Sequence, residues 1–185
     1  MEDIECIHQV RSGNIGAFAT IVNRYKGLVF NIVSKITSNR QHAEDITQEV
    51  FIKVFQSLDR FKEKAKFSTW LYSITYNTAI SAARKAKNKV LLFKDGQPDF
   101  GLDASVEDPD EASKEEQLQC LEKVLTQLTA EDALLISLYY TEDLPVADIA
   151  EVTSLSQSNV KTRLHRIRKY MNVEISKLLK KHENR

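Results

Sequence analysis

The segment LPVADIAEVTSLSQSNVKTRLHRIRKYM (Leu144–Met171) changes texture at one point. Val146, Ile149, Ala150 and Val152 recur at helical spacing behind Pro145, a residue that suits a first helical turn. Ser154–Ser156 interrupts the pattern as a tight turn. A second helix starts at Gln157 and turns Val160, Leu164 and Ile167 inward. Gln157, Ser158, Asn159, Lys161, Thr162, Arg163, His165, Arg166 and Arg168 are left for solvent or a partner. A short helix, a turn and a basic second helix make a helix-turn-helix pattern. In such a pair the polar N-terminal end of the second helix can reach base edges in a major groove, and flanking Lys and Arg meet phosphates. A solvated basic face on a last helix is the competing reading, but charge, turn and apolar triplet occur together here.

Working upstream, Glu115–Leu128 reads as one helix with Leu118, Leu121, Val124, Leu125 and Leu128 on its apolar side. Thr129 is an N-cap with Asp132 as its partner three residues on, and the helix it opens runs through ALLISLYY (Ala133–Tyr140). The last helix extends to about Lys180. Before this module lies LLFKDGQPDFGLDASVEDPDEAS (Leu91–Ser113), with two of the chain's three Pro, its last two Gly and no sustained period. It reads as a flexible linker. Some 23 residues at roughly 3.3 Å each reach about 75 Å when extended. Two turns of B-DNA measure about 68 Å, so the linker can hold two modules two turns apart on one duplex.

The first module is helix after helix. Phe18, Ile21, Val22, Tyr25, Leu28, Val29, Ile32, Val33 and Ile36 form one stripe at three-and-four spacing. Ser38 with Gln41 fits a capping box, and Ala43, Ile46, Val50, Val54 and Leu58 line the next helix, with Phe51 and Phe55 widening its stripe. A charged connector, Asp59–Lys66, precedes KFSTWLYSITYNTAISAARK (Lys66–Lys85), for which Ser68 is a good N-cap. Trp70, Asn77 and Arg84 are seven apart and fall nearly on one line. Rings beside a basic end suit unpaired bases, since stacking contributes roughly 1–3 kcal/mol per base. Phe67, Trp70, Tyr72 and Tyr76 equally suit a helical core.

The chain carries 26 basic and 26 acidic residues, yet they are segregated. Met1–Val90, Leu91–Asp132 and Ala133–Arg185 carry net charges of +6, −9 and +3. This basic–acidic–basic layout suggests two modules around a connector, and basic modules favour DNA. With 5 Gly and 3 Pro in 185 residues, an all-α protein is expected. The longest nearly continuous apolar run, Ala133–Tyr140, is far short of a membrane span. MEDIECIHQV has acids where a signal peptide has bases, so a cytoplasmic location is expected. Cys6 and Cys120 form no CxxC pair and His8, His42, His165 and His182 share no ligand spacing, so no metal, no cofactor and no small-molecule substrate are expected. No nucleophile motif or phosphate loop suggests an enzyme.

Three segments together carry a family resemblance: AEDITQEVFIKVFQSLDRF (Ala43–Phe61), FSTWLYSITYNTAISAARK (Phe67–Lys85) and LTAEDALLISLYYTEDLPVADIAEVTSLSQSNVKTRLHRIRKYM (Leu128–Met171). In this order the sequence resembles the bacterial RNA polymerase sigma factors of the extracytoplasmic-function group of the sigma-70 family. The resemblance implies two small helical domains, residues 1–90 as region two and 114–185 as region four, joined by the acidic linker 91–113. It implies a factor that binds core RNA polymerase, directs it to promoters and helps melt the −10 region. Asp45, Gln48, Glu49, Phe51 and Lys53 would then contact the clamp helices of the polymerase largest subunit, and region four its flap. Phe61, Lys64, Lys66, Phe67 and Trp70, with Tyr76, Asn77, Arg84 and Lys85, would serve the −10 element, the loop Phe61–Phe67 holding an unpaired base. Ser156 through Arg168 would read the −35 duplex, through Ser156, Gln157, Ser158, Asn159, Lys161, Thr162, Arg163, Arg166 and Arg168. An anti-sigma partner, often membrane-tethered, is implied as well.

The sequence departs from the family pattern twice. Ser81 stands where an Asp is common, and Ser154 stands where the turn usually has Gly. At a left-handed position a Cβ costs about 1 kcal/mol. The rival reading is a stand-alone helix-turn-helix regulator that binds duplex DNA without polymerase and prefers a palindrome.

Overall fold

The computed structural model describes residues 2–37, 39–90 and 114–183, with side chains placed for 2–37, 39–86 and 115–180. The described residues are helical and contain no strand. The linker expected at 91–113 lies outside the described residues, as does Ser38.

Helix α1 (Asp3–Arg11) carries Asp3 and Glu5 in its first turn and His8 and Arg11 in its last, charges that complement the helix dipole. It stops where Gly13 adopts φ 102, a conformation that excludes a Cβ at low cost. A 3-10 turn, Ile15–Ala17, leads into α2 (Phe18–Val33), whose Ile21, Val29, Ile32 and Val33 are buried. The expected stripe is present, but Ile36 falls beyond the helix end. Helix α3 (Arg40–Ser57) is capped by Asn39, whose Oδ1 accepts from the His42 amide at 3.0 Å. The cap therefore sits one residue later than the expected Ser38. Helix α4 (Phe67–Val90) begins one residue before Ser68, which lies inside the first turn. Its first half is buried nearly all round, from Phe67 and Leu71 through Tyr72, Thr75 and Tyr76 to Ala79 and Ile80. The reason is its place between two layers: α2 and α3 pack on one side, and the second helical unit packs on the other.

That unit is α5 (Lys114–Leu125), α6 (Ala130–Ile136), a π-helical turn (Ser137–Thr141), α7 (Val146–Thr153) and α8 (Gln157–Glu183). The helix expected to run unbroken through Tyr140 thus changes pitch at Ser137, and Pro145 is an N-cap rather than a first-turn residue. The Thr129 cap is present: its Oγ1 accepts from the Asp132 amide at 3.2 Å and donates to Asp132 Oδ2 at 3.0 Å. Helix α8 lies along α5, α6 and α7, and Val160, Leu164 and Ile167 are its buried face. Helix α4 packs against α7 and α6, so one apolar core runs from α2–α4 into α6–α8. Tyr72 in α4 donates to Glu142 across this seam at 2.9 Å. Burial, aided by that hydrogen bond, pushes the Tyr72 hydroxyl well above the usual range, so it stays a neutral donor.

Candidate functional site

Helix α3 presents Asp45, Gln48 and Glu49 to solvent because its apolar residues at Ala43, Ile46, Val50 and Val54 face α2 and α4. Gln41 donates to Asp45 at 3.2 Å, and Lys53 pairs with Glu49 one turn on at 2.7 Å. Phe51 is placed differently from expectation. It is 7% exposed and belongs to the core, so its ring offers nothing to a partner. Ile52 and Phe55 instead stand on the surface, 56% and 40% exposed, with the Phe55 ring edge-on to Phe18 at 5.1 Å. The face is therefore acidic with two exposed apolar side chains, and apolar and aromatic groups are what interface centres favour while charges lie at the rim. Sequence reading placed Phe55 in the buried stripe because a wide stripe and an exposed flank look alike at three-and-four spacing.

The connector between α3 and α4 ends in two buried rings. Phe61 and Phe67 lie edge-on at 5.6 Å, and Trp70 leans on both at 5.3 and 5.7 Å. Trp70 is half-buried, while Phe61 and Phe67 are interior. Neither Phe can stack on a base without leaving the core. They form the floor under a loop whose Lys62, Lys64 and Lys66 are exposed. Tyr76 is buried as well, and burial raises its hydroxyl above the usual range. Farther along α4, Asn77, Ser81, Arg84 and Lys85 are exposed. Their neighbours across a cleft of about 440 Å³ are Glu131, Thr153, Leu155 and Arg163. Arg84 reaches Glu131 at 2.9 Å while remaining 71% exposed, a surface pair of small energetic weight.

In the helix-turn-helix, Ser154 holds φ 58 and ψ 29, the left-handed conformation anticipated for that turn. Ser156 then caps α8, its Oγ accepting from the Asn159 amide at 3.2 Å. Gln157, Ser158, Asn159, Lys161, Thr162, Arg166 and Arg168 are exposed along the N-terminal half of α8. Arg163 is turned inward, with Nη2 donating to Asp132 Oδ1 at 2.6 Å. The Asp132–Arg163 pair ties α8 to the α6 cap, so Arg163 has a structural partner in place of an open face. Arg168 donates from Nε to the Leu164 carbonyl at 3.3 Å and lies 6.0 Å from the Tyr139 ring centre.

An acidic–apolar face, a basic loop over an aromatic floor and an exposed polar helix start behind a left-handed turn follow one another along the chain. The same order appears in the comparisons with known proteins. Residues 21–89 match the family described as Sigma-70 region 2, and residues 118–171 match Sigma-70, region 4. The chain belongs to the extracytoplasmic-function sigma factors of the sigma-70 family. It is 31% identical to the ECF RNA polymerase sigma factor SigW of Bacillus subtilis, over 93% of this chain and 96% of that protein. It is 28% identical to the ECF RNA polymerase sigma-E factor of Haemophilus influenzae, over 97% and 98% of the two chains. Two solved structures share the fold. They are the sigma factor RpoE of Bartonella quintana with its anti-sigma factor NepR (TM-score 0.63, 22% identity, 88% and 96% covered) and CnrH with the cytosolic domain of CnrY (TM-score 0.65, 21% identity, 96% and 97% covered). This sigma factor accordingly works with RNA polymerase at promoter DNA rather than as a stand-alone regulator. Among the described residues no cluster of His, Cys, Asp and Glu could hold a metal ion, and no helix is long and apolar enough to cross a membrane.

Sequence reading missed α1 altogether, and with it Asp3, His8 and Arg11. The Asp3 carboxylate takes hydrogen bonds from Arg24 and from the Tyr25 hydroxyl, the latter at 2.5 Å. Cys6, Ile7 and Val10 at helical spacing, with Asp3 and Glu5 in the first turn and His8 and Arg11 in the last, were the available signal.

Proposed function

We propose that the acidic–apolar face of α3 docks on the clamp helices of the polymerase largest subunit, through Asp45, Gln48 and Glu49 with Ile52 and Phe55 as anchors. The loop Phe61–Phe67 and the exposed line Asn77, Arg84 and Lys85 take the unpaired −10 strand. Here the rings of Phe61 and Phe67 act as floor, Trp70 as the aromatic edge, and Lys64 and Lys66 as phosphate contacts. The start of α8 enters the major groove of the −35 element, with Gln157, Ser158, Asn159 and Thr162 at the base edges and Lys161, Arg166 and Arg168 at phosphates. Arg163 positions that helix through Asp132 rather than touching DNA. Residues 1–90 and 114–185 act as separate modules across 91–113, and the factor performs no covalent chemistry.

The observation that carries this reading is the pattern of exposure. On α3, the connector and α8, the side chains with suitable chemistry are left in solvent, Ile52 and Phe55 included, while Ile46, Val50, Phe61, Phe67, Val160 and Leu164 beside them are buried. The packing of α4 on α7 bears on how the modules work. Arg84 and Arg163 line one cleft, whereas two promoter elements two turns apart lie about 68 Å from each other. The packed arrangement is that of the free factor, and engagement of both elements separates the units. An anti-sigma factor, the kind of partner seen with RpoE of Bartonella quintana, would act by holding such surfaces covered. The site of action is the cytoplasm.

The test is run-off transcription with core RNA polymerase and genomic promoter fragments. Specific transcripts that disappear with Asp45→Ala plus Glu49→Ala are expected. Absence of polymerase binding, together with tight binding to a palindromic duplex, would overturn the assignment.

A further inference from the structure

The loop between Phe61 and Phe67 is held from outside by α1. Arg11 Nη2 donates to the carbonyl of Leu58 at 2.8 Å and to that of Phe61 at 2.5 Å. Its Nη1 donates to Glu63 Oε1 at 2.7 Å, and His8 Nε2 lies 2.9 Å from the same oxygen. One guanidinium thus fixes three points: the 3-10 turn that ends α3, the first carbonyl of the loop, and its tip. A planar fork with five fixed donors spans such separated acceptors, whereas a lysine gathers its three donors on one compact ammonium. Charge-assisted bonds of this sort are also the strong ones.

The tip itself shows what the grip achieves. Glu63 adopts φ 58, a left-handed conformation that a residue with a Cβ avoids. Strain of that kind persists where surrounding contacts over-determine it, and it collects at functional sites. Here the contacts are the two α1 side chains on its carboxylate. With Glu63 turned toward α1, the loop's remaining charged residues, Lys62, Lys64 and Lys66, are all exposed above the rings of Phe61 and Phe67. The loop's one acid is thereby removed from the path of a phosphate backbone.

We infer that Arg11 is a positioning residue for strand capture: with Glu63 it holds the Phe61–Phe67 loop in the shape that receives an unpaired base. This rests on the reading of that loop given above. Arg11 touches no DNA; it acts by having the loop ordered before the strand arrives, so binding does not bear the cost of ordering it.

The test uses holoenzyme assembled from the full chain and core polymerase, on a promoter it transcribes. Affinity is measured for that promoter fully paired and for a forked version with the −10 strand unpaired. Arg11→Ala removes all three bonds. Glu63→Gly removes the carboxylate but relieves the left-handed strain, so its melting temperature should stay close to that of the natural chain. Both variants should bind the forked DNA roughly tenfold more weakly, with paired-DNA affinity unchanged. A merely structural tie would instead lower the melting temperature and weaken both DNAs alike, overturning the inference. So would a Glu63→Gly chain that keeps the natural fork preference, even if Arg11→Ala fails to fold. A natural chain with no fork preference at all would remove the loop reading itself, a result distinct from the others.

Discussion

The pair Asp132–Arg163 makes an asymmetric stability prediction. Asp132 is 7% exposed, and its carboxylate has two partners, the Thr129 hydroxyl at 3.0 Å and Arg163 at 2.6 Å. The Arg163 side chain is 28% exposed, so its guanidinium lies at the edge of water. Arg163→Ala leaves a buried carboxylate with one hydroxyl for company. Breaking a buried pair this way costs about 3–5 kcal/mol, and the open edge places this case near the lower end. Asp132→Ala leaves an arginine that can turn to solvent. What is lost is one charge-assisted bond and half of a capping arrangement, about 1–2 kcal/mol. The double variant removes the stranded carboxylate too, so it should cost less than Arg163→Ala alone, with a coupling energy of about 1–3 kcal/mol. Urea unfolding followed by circular dichroism measures all three, given equal slopes. The reasoning fails if Asp132→Ala is the costlier single change or if the two costs simply add. The same variants separate structure from DNA contact. Arg166→Ala should reduce the slope of log affinity against log salt on −35 duplex by about 0.9, whereas Arg163→Ala should leave that slope alone.

Three further outcomes are expected. Ser154→Gly should stabilise the chain by about 0.5–1 kcal/mol, read as a higher urea midpoint, because glycine accepts φ 58 without the Cβ penalty. Phe51→Ala should destabilise by about 3–5 kcal/mol, while Ile52→Asp should scarcely change stability and should weaken polymerase binding in a pull-down; equal effects of the two on stability would refute the placement. Glu63 is held below the ordinary glutamate range, chiefly by its hydrogen bond with His8, with burial opposing and Arg11 assisting. A carboxyl lowered on folding contributes above its unfolded value, about 4.3, and the contribution fades as pH falls through the lower folded value. Acidification through that window should loosen the loop and change Trp70 fluorescence, and Glu63→Gln should remove that component of the change.

Much of the architecture was legible because periodicity and caps are local. The stripe from Ile21 to Val33, the Thr129–Asp132 cap and the buried triplet Val160, Leu164 and Ile167 each declare themselves within one or two turns. Phe51 and Phe55 show where such reasoning stops. They are one helical turn apart, and which of them faces the core depends on the direction from which α4 approaches, a fact no window of α3 contains. Arg163 is a second case. Its neighbours in sequence make it look like one more basic residue on a DNA-facing helix, and only the return of α6 beneath α8 gives it Asp132.

The seam between the two units raises the same problem at the level of function. A helix expected to offer rings and bases to DNA is instead buried through its first half, with Tyr72 bonded to Glu142 and Arg84 to Glu131. The two kinds of contact differ in strength. Tyr72–Glu142 is half-buried and lies over an apolar seam, whereas Arg84–Glu131 is surface-exposed and screened by salt. Apolar burial therefore holds the units together, while the charged residues at the cleft remain easy to exchange for phosphates. An arrangement built that way resists opening by salt alone but yields to a partner that offers replacement contacts, as polymerase and promoter would together. Phe67, Tyr72 and Tyr76 of α4 are thus core residues and Trp70 is half-buried, while Asn77, Arg84 and Lys85 stay exposed beside the cleft, where the proposed function places the DNA strand.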